Sequence, residues 1–177
     1  MKAEITRILN DVNSFTDIWV KSDLRNNDFK IIDIPNRNLP RGDGIETLTL
    51  MLCPNVFSST EEAFATMLKK FIYYNEEWAD DQYGGTIESW FDPLRTFWLP
   101  EYIKQNTFEV LPSDEFVDSL RKDLVRICNK NNEILFTSIP EVLNDLNVIG
   151  FNKGLLCQDA FGISTEICFF YSWWIGY

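Results

Sequence analysis

Apolar residues recur along this 177-residue chain with two periods, and the switches between them mark out its elements. Ile5, Ile8, Leu9 and Val12 share one helical stripe, which predicts a short amphipathic helix at the start. Phe15, Ile18 and Trp19 follow Asn13-Ser14, where the helix either continues or is capped afresh. The β-branched run FKIIDIP over residues 29–35 predicts a strand stopped by proline. NRNLPRGDG reads as a loop, and IETLTLML over residues 45–52 alternates in part, predicting a second strand. The clearest helix opens in SSTEEAFATMLKKFIYY. Ser59 and Glu62 have capping-box spacing, and Phe64, Met67, Leu68, Phe71 and Ile72 form the inner stripe.

Further along, TIESWF and NTFEVL predict strands on either side of the proline- and aromatic-rich DPLRTFWLPEYIK. A helix follows with Ser113 as cap, Asp114 and Glu115 in its first turn, and Phe116, Leu120, Leu124, Ile127 and Cys128 facing inward. EILFTS predicts a strand, and Ser138, Pro140 and Glu141 open a short helix. The chain then runs through GLLCQDAFG and STEICFFYSWWIGY, a hairpin whose last strand is apolar on both faces. That run is either a central strand buried on both sides, or it exposes one alternate set, Phe169, Tyr171 and Trp173 or Phe170 and Trp174, as an interface anchor. Helices and strands interleave without a regular βαβ period, and no linker or repeat divides them. The expectation is a single globular α+β domain over residues 1–177, a mainly antiparallel sheet covered by several helices.

Charge then narrows the function. With 27 acidic and 16 basic residues the net charge is −11. Such a chain is poorly suited to phosphate backbones or anionic membrane surfaces and well suited to basic proteins. It has no histidine, which removes the usual general base and the Ser-His-Asp and Cys-His triads. Cys53, Cys128, Cys157 and Cys168 form no C-x-x-C pair, and each sits among apolar neighbours, as buried thiols of a reducing compartment do. Glu4 and Asp11 interrupt the first apolar run, so neither a signal peptide nor a membrane span is expected, and the chain reads as cytoplasmic. There is no glycine-rich phosphate loop, and no cofactor or metal is implied.

The most concentrated chemistry lies in YYNEEWADDQYGG, residues 73–85, where Glu76, Glu77, Asp80 and Asp81 are ringed by Trp78 and Tyr83. Glu76 and Glu77 fall at the end of the predicted helix, where acids oppose the helix dipole. The glycine-centred order of a calcium loop is missing. The stretch is read as a solvated helix end, as a surface for a basic partner, or as a carboxylate pair for hydrolysis with or without magnesium. The acid-rich stretches NEEWADDQYGG and LPSDEFVDSL, flanked by aromatics in a histidine-free α+β chain, resemble immunity proteins of bacterial toxin systems, in particular those of contact-dependent growth inhibition. The resemblance implies a non-enzymatic protein that binds one cognate basic toxin, such as a nuclease, and covers its active site or an adjacent surface. It carries no catalytic residue. The partner-binding residues expected are Glu76, Glu77, Trp78, Asp80, Asp81 and Tyr83. The rival classes are a carboxylate-dependent hydrolase and an adaptor subunit.

Overall fold

The computed structural model describes residues 1–22, 28–36, 44–74, 89, 93, 96, 109–127, 146–151 and 154–176. The fold is α+β with a mainly antiparallel sheet, as the apolar pattern predicts. The chain divides into two compact units, one of Met1–Asp28 with Val56–Phe108 and one of Phe29–Asn55 with Glu109–Tyr177.

The second unit holds a six-stranded sheet. Its strands are β1 (Lys30–Asn36), β2 (Ile45–Pro54), β3 (Glu109–Leu111), β4 (Asn147–Phe151), β5 (Cys157–Ile163) and β6 (Ile167–Gly176). They lie in the order β1-β2-β6-β5-β4-β3, and every neighbouring pair is antiparallel. The longest ladder joins β2 to β6, from Ile45 opposite Gly176 to Pro54 opposite Ile167. The alternation along β2 is incomplete because Leu48 through Cys53 are all buried, and a strand covered on both faces has no need of a polar side. The same holds in β6, where Cys168 through Ser172 are buried, so the two-sided reading of that strand is correct over this span.

One face of the sheet is covered by a helix, α4, Ser113–Ile127. Phe116, Val117, Leu120 and Leu124 point inward, and the core they join includes Leu50 and Tyr171. Phe116 stacks on Phe169 at 5.2 Å and meets Tyr171 edge-on at 5.6 Å. The helix starts one residue earlier than the sequence predicts: Phe116 N–H bonds the Pro112 carbonyl at 2.9 Å, so Pro112 is the cap and Ser113 lies inside the first turn. Proline serves because a cap needs only its carbonyl. Gly162 is required by this packing. It sits opposite Phe169, and a Cβ there would lie 1.8 Å from Phe169 Cε1. The ring fills the space a side chain would take, as aromatics do beside glycines in sheets.

The β5–β6 turn is closed by Ser164, whose N–H bonds the Ile167 carbonyl at 2.9 Å and whose Oγ accepts from the N–H groups of Glu166 and Ile167. Asn55, just past β2, holds the turn from outside. Its N–H donates to Glu166 O and its side-chain amide to Ser164 O, at 2.8 and 2.6 Å.

The first unit packs three helices: α1 (Lys2–Asn10), α2 (Val12–Lys21) and α3 (Thr60–Tyr74). The chain is capped afresh between the first two, though at Asp11 and not at Asn13-Ser14. The Asp11 carboxylate accepts from Ser14 N–H at 3.1 Å and from Ser14 Oγ at 2.6 Å, and these bonds hold its pKa below the usual range. Phe15 lies 5.9 Å from Trp19 and 6.4 Å from Phe64, centroid to centroid, forming the aromatic centre of this unit. At the start of α3, Ser59 Oγ accepts from Glu62 N–H at 3.1 Å, as the capping box predicts. The Glu62 carboxylate reaches one residue further back than the motif does, to the N–H and Oγ of Ser58 at 2.9 and 2.6 Å. Lys69 is buried, and its Nζ donates to the carbonyls of Trp19 and Ser22 at 2.8 and 2.9 Å, closing the C-terminal end of α2.

One further difference from the expected elements stands out. The strand β4 was not predicted, because NVIGF is five residues long and interrupted by Gly150. Of the NTFEVL stretch, Glu109–Leu111 is strand as expected, and residues 106–108 lie outside the described residues. Apart from residue 89, which lies in a turn, the strand expected over 86–91 lies outside the described residues, as do the strand expected over 133–138 and the helix expected from Ser138.

Candidate functional site

Glu76, Glu77, Trp78, Asp80, Asp81 and Tyr83 lie outside the described residues. The described chain leads up to them through α3, which ends at Tyr74, itself partly exposed, with no basic residue in the last turn. The second acidic stretch, LPSDEFVDSL, is described in full. Asp114, Glu115 and Asp118 face solvent, while Phe116, Val117 and Leu120 of the same turns are buried. The first two acids sit in the first turn of α4, where they complement the helix dipole, and Asp118 pairs with Arg121 at 3.3 Å. One alternation thus supplies a helix anchor on one side and a negative surface on the other.

A shallow cleft of about 220 Å³ opens beside this turn, between Glu115 and Ser119 of α4 and Gln158 and Tyr171 of the sheet. The Tyr171 hydroxyl lies 3.3 Å from Asp123 Oδ2. The cleft is therefore walled by one carboxylate and several hydrogen-bonding groups over an aromatic floor.

A different surface appears at the end of the β5–β6 hairpin. Leu155 is 97% exposed, and Leu156 and Trp174 are 43% exposed. Trp174 is directly opposite Cys157, and Ile175 N–H bonds the Leu156 carbonyl at 2.8 Å, so the three side chains project from one hydrogen-bonded end of the sheet. Trp174 does not swing freely. A Cβ on Gly176 would lie 2.3 Å from its ring, so the indole rests on the glycine. The neighbouring Trp173 takes the opposite role, donating its indole N–H to the buried Glu46 carboxylate at 2.7 Å. Of the alternate set Phe170 and Trp174, only Trp174 is exposed; Phe170 belongs to the core. The Leu155-Leu156 pair was legible only as part of a hairpin, since its exposure follows from the turn that places it.

The strand register also brings together residues far apart in sequence. Asp33, Thr49, Ser172 and Asp159 stand side by side across β1, β2, β6 and β5 on the sheet face away from α4. Thr49 Oγ1 donates to Asp33 Oδ1 at 2.9 Å. The two carboxylates of this row are three strand spacings apart, about 14 Å, well beyond the separation of roughly 5–9.5 Å that paired carboxylates use in glycoside hydrolysis. Among the described residues no three His, Cys, Asp or Glu side chains converge to hold a metal ion. No described helix is long and apolar enough to cross a membrane.

No family model, curated protein or solved structure matches this chain.

Proposed function

We propose that this protein is an immunity protein, which binds a basic toxin, a nuclease in the simplest case, and blocks its active site or an adjacent surface in the cytoplasm. The observation that carries the reading is the charge: 27 acids against 16 bases, with no histidine. A nuclease meets phosphates with clustered Lys and Arg, and the same cluster is complementary to a surface of carboxylates. Glu76, Glu77, Asp80 and Asp81 supply part of that surface, and the solvent side of α4 supplies more. Long-range attraction sets the encounter rate, while a durable complex needs desolvated anchors. Trp78 and Tyr83 are the anchors within the acidic stretch, and the exposed Trp174 with Leu155 and Leu156 supports the same reading.

Coexpression with the product of the adjacent upstream gene tests the proposal. That product is expected to arrest growth when expressed alone, to be tolerated with this protein, and to copurify with it. A product that is harmless, or toxic yet neither bound nor relieved, overturns the reading. Replacing Glu76 and Glu77 with Gln and Asp80 and Asp81 with Asn is expected to slow association at low salt by about tenfold or more, with a smaller change in dissociation. An unchanged on-rate removes this stretch from the interface.

A further inference from the structure

Two of the buried thiols are brought together by the register of the sheet. Cys53 on β2 and Cys168 on β6 are direct cross-strand partners, 2% and 0% exposed, although more than a hundred residues separate them in sequence. Directly opposed residues of an antiparallel pair have Cα atoms about 4.5 or 5.5 Å apart, depending on the hydrogen-bonding site. Both values fall within the roughly 4.4–6.8 Å that a disulfide spans. Their side chains also lie on the same face of the sheet, as those of directly opposed residues do.

We propose that Cys53 and Cys168 are a disulfide site, which a peroxide oxidant closes across the neighbouring strands β2 and β6. The Cys53 thiolate attacks one oxygen of hydrogen peroxide. The O–O bond breaks, hydroxide leaves and takes up the thiol proton as water, and Cys53 is left as a sulfenic acid. The Cys168 sulfur then attacks the sulfenic sulfur; the S–S bond forms, the S–O bond breaks, and the departing hydroxide carries off the Cys168 proton as a second water. Two thiols lose two electrons, and one peroxide becomes two waters. Interaction with Cys53, together with burial, pushes the Cys168 thiol well above the ordinary range, and its place directly opposite Cys53 suits it to resolve the sulfenic acid. Burial makes the reaction slow and dependent on local opening of the β2–β6 ladder, but it leaves an oxidised Cys53 with Cys168 beside it as resolving thiol.

Reduced protein treated with dilute hydrogen peroxide, alkylated and digested without reductant is expected to yield one peptide joining Cys53 to Cys168. Because the closed loop is long, the midpoint of thermal unfolding is expected to rise by roughly 10 °C and to return with dithiothreitol. Cys53→Ser and Cys168→Ser should each abolish the linked peptide and the shift, while Cys157→Ser retains both. The proposal is overturned if both thiols are still alkylated on unfolding at a peroxide dose that has consumed Cys157, or if the linked peptide joins another pair. Should either serine variant fold poorly, the peptide map of the unaltered protein decides.

Discussion

At the scale of single residues, several side chains act as substitutes for something the backbone lacks. Phe169 fills the space above Gly162, Lys69 satisfies two carbonyls at the end of α2, and Glu46 receives the indole N–H of Trp173. The Gly162–Phe169 pair gives the sharpest test. A methyl group at 162 would occupy the Phe169 ring position, and Phe169 is already held from above by Phe116. Neither ring can retreat without disturbing the close-packed core beneath α4. Gly162→Ala is therefore expected to destabilise the protein by about 1–3 kcal/mol, read as a lower urea midpoint at unchanged slope. A loss below about 0.5 kcal/mol would show that Phe169 has a second seat. None of these relations could be read from the chain. The sequence shows a glycine in a strand and a run of aromatics, but which aromatic stands over which glycine is a matter of register.

Between elements, the clearest link in the helical unit is the ion pair of Arg7 on α1 with Glu61 in the first turn of α3. Burial raises the Glu61 carboxyl, but the Arg7 hydrogen bond, the backbone N–H of Glu61 and the Arg7 charge outweigh it, and its pKa is lowered from 4.5. A carboxyl with a lowered folded-state pKa contributes stability that is present above its unfolded value. That contribution is lost as pH falls through the folded value. Arg7→Met is expected to cost less than about 1 kcal/mol at pH 7, because the guanidinium is mostly in water. The difference from the unaltered protein should narrow as pH drops below 4.5, and urea titrations at a series of pH values would measure it. A gap that stays constant through acid would mean that Arg7 acts by packing alone. Elements themselves were largely legible where capping and period agreed, as in α3 and in the β5–β6 hairpin. The start of α4 was legible only to within one residue, because that helix begins on a proline carbonyl, and a strand as short as β4 was not legible at all. The short strand is settled by its pairing partners and not by local preference.

At the scale of the whole molecule, the excess of acid has two consequences that salt separates. A net charge of −11 repels itself in the folded state, and added salt relieves that repulsion. Between ~0.01 M and ~1 M salt the screening length falls from about 30 Å to about 3 Å. The free protein should therefore unfold at a higher temperature as sodium chloride is added, with chloride in place of sulfate so that exclusion effects stay small. The same screening weakens attraction to a basic partner, so the association rate should fall over the range in which the unfolding temperature rises. The sign of the charge that complements the chain as a whole was legible from composition alone, since it depends only on the total. The exposed Trp174 beside Leu155 and Leu156 was not, because it emerges only when a turn and a register have been set. If binding relies chiefly on this apolar end of the sheet, the salt dependence is confined to the on-rate, and Trp174→Ala should speed dissociation by about tenfold or more at every salt concentration. If the complex is held by its charges, dissociation itself will quicken with salt and Trp174→Ala will leave it nearly unchanged. Surface-plasmon traces at three salt concentrations, for the unaltered protein and for this one variant, would distinguish the two.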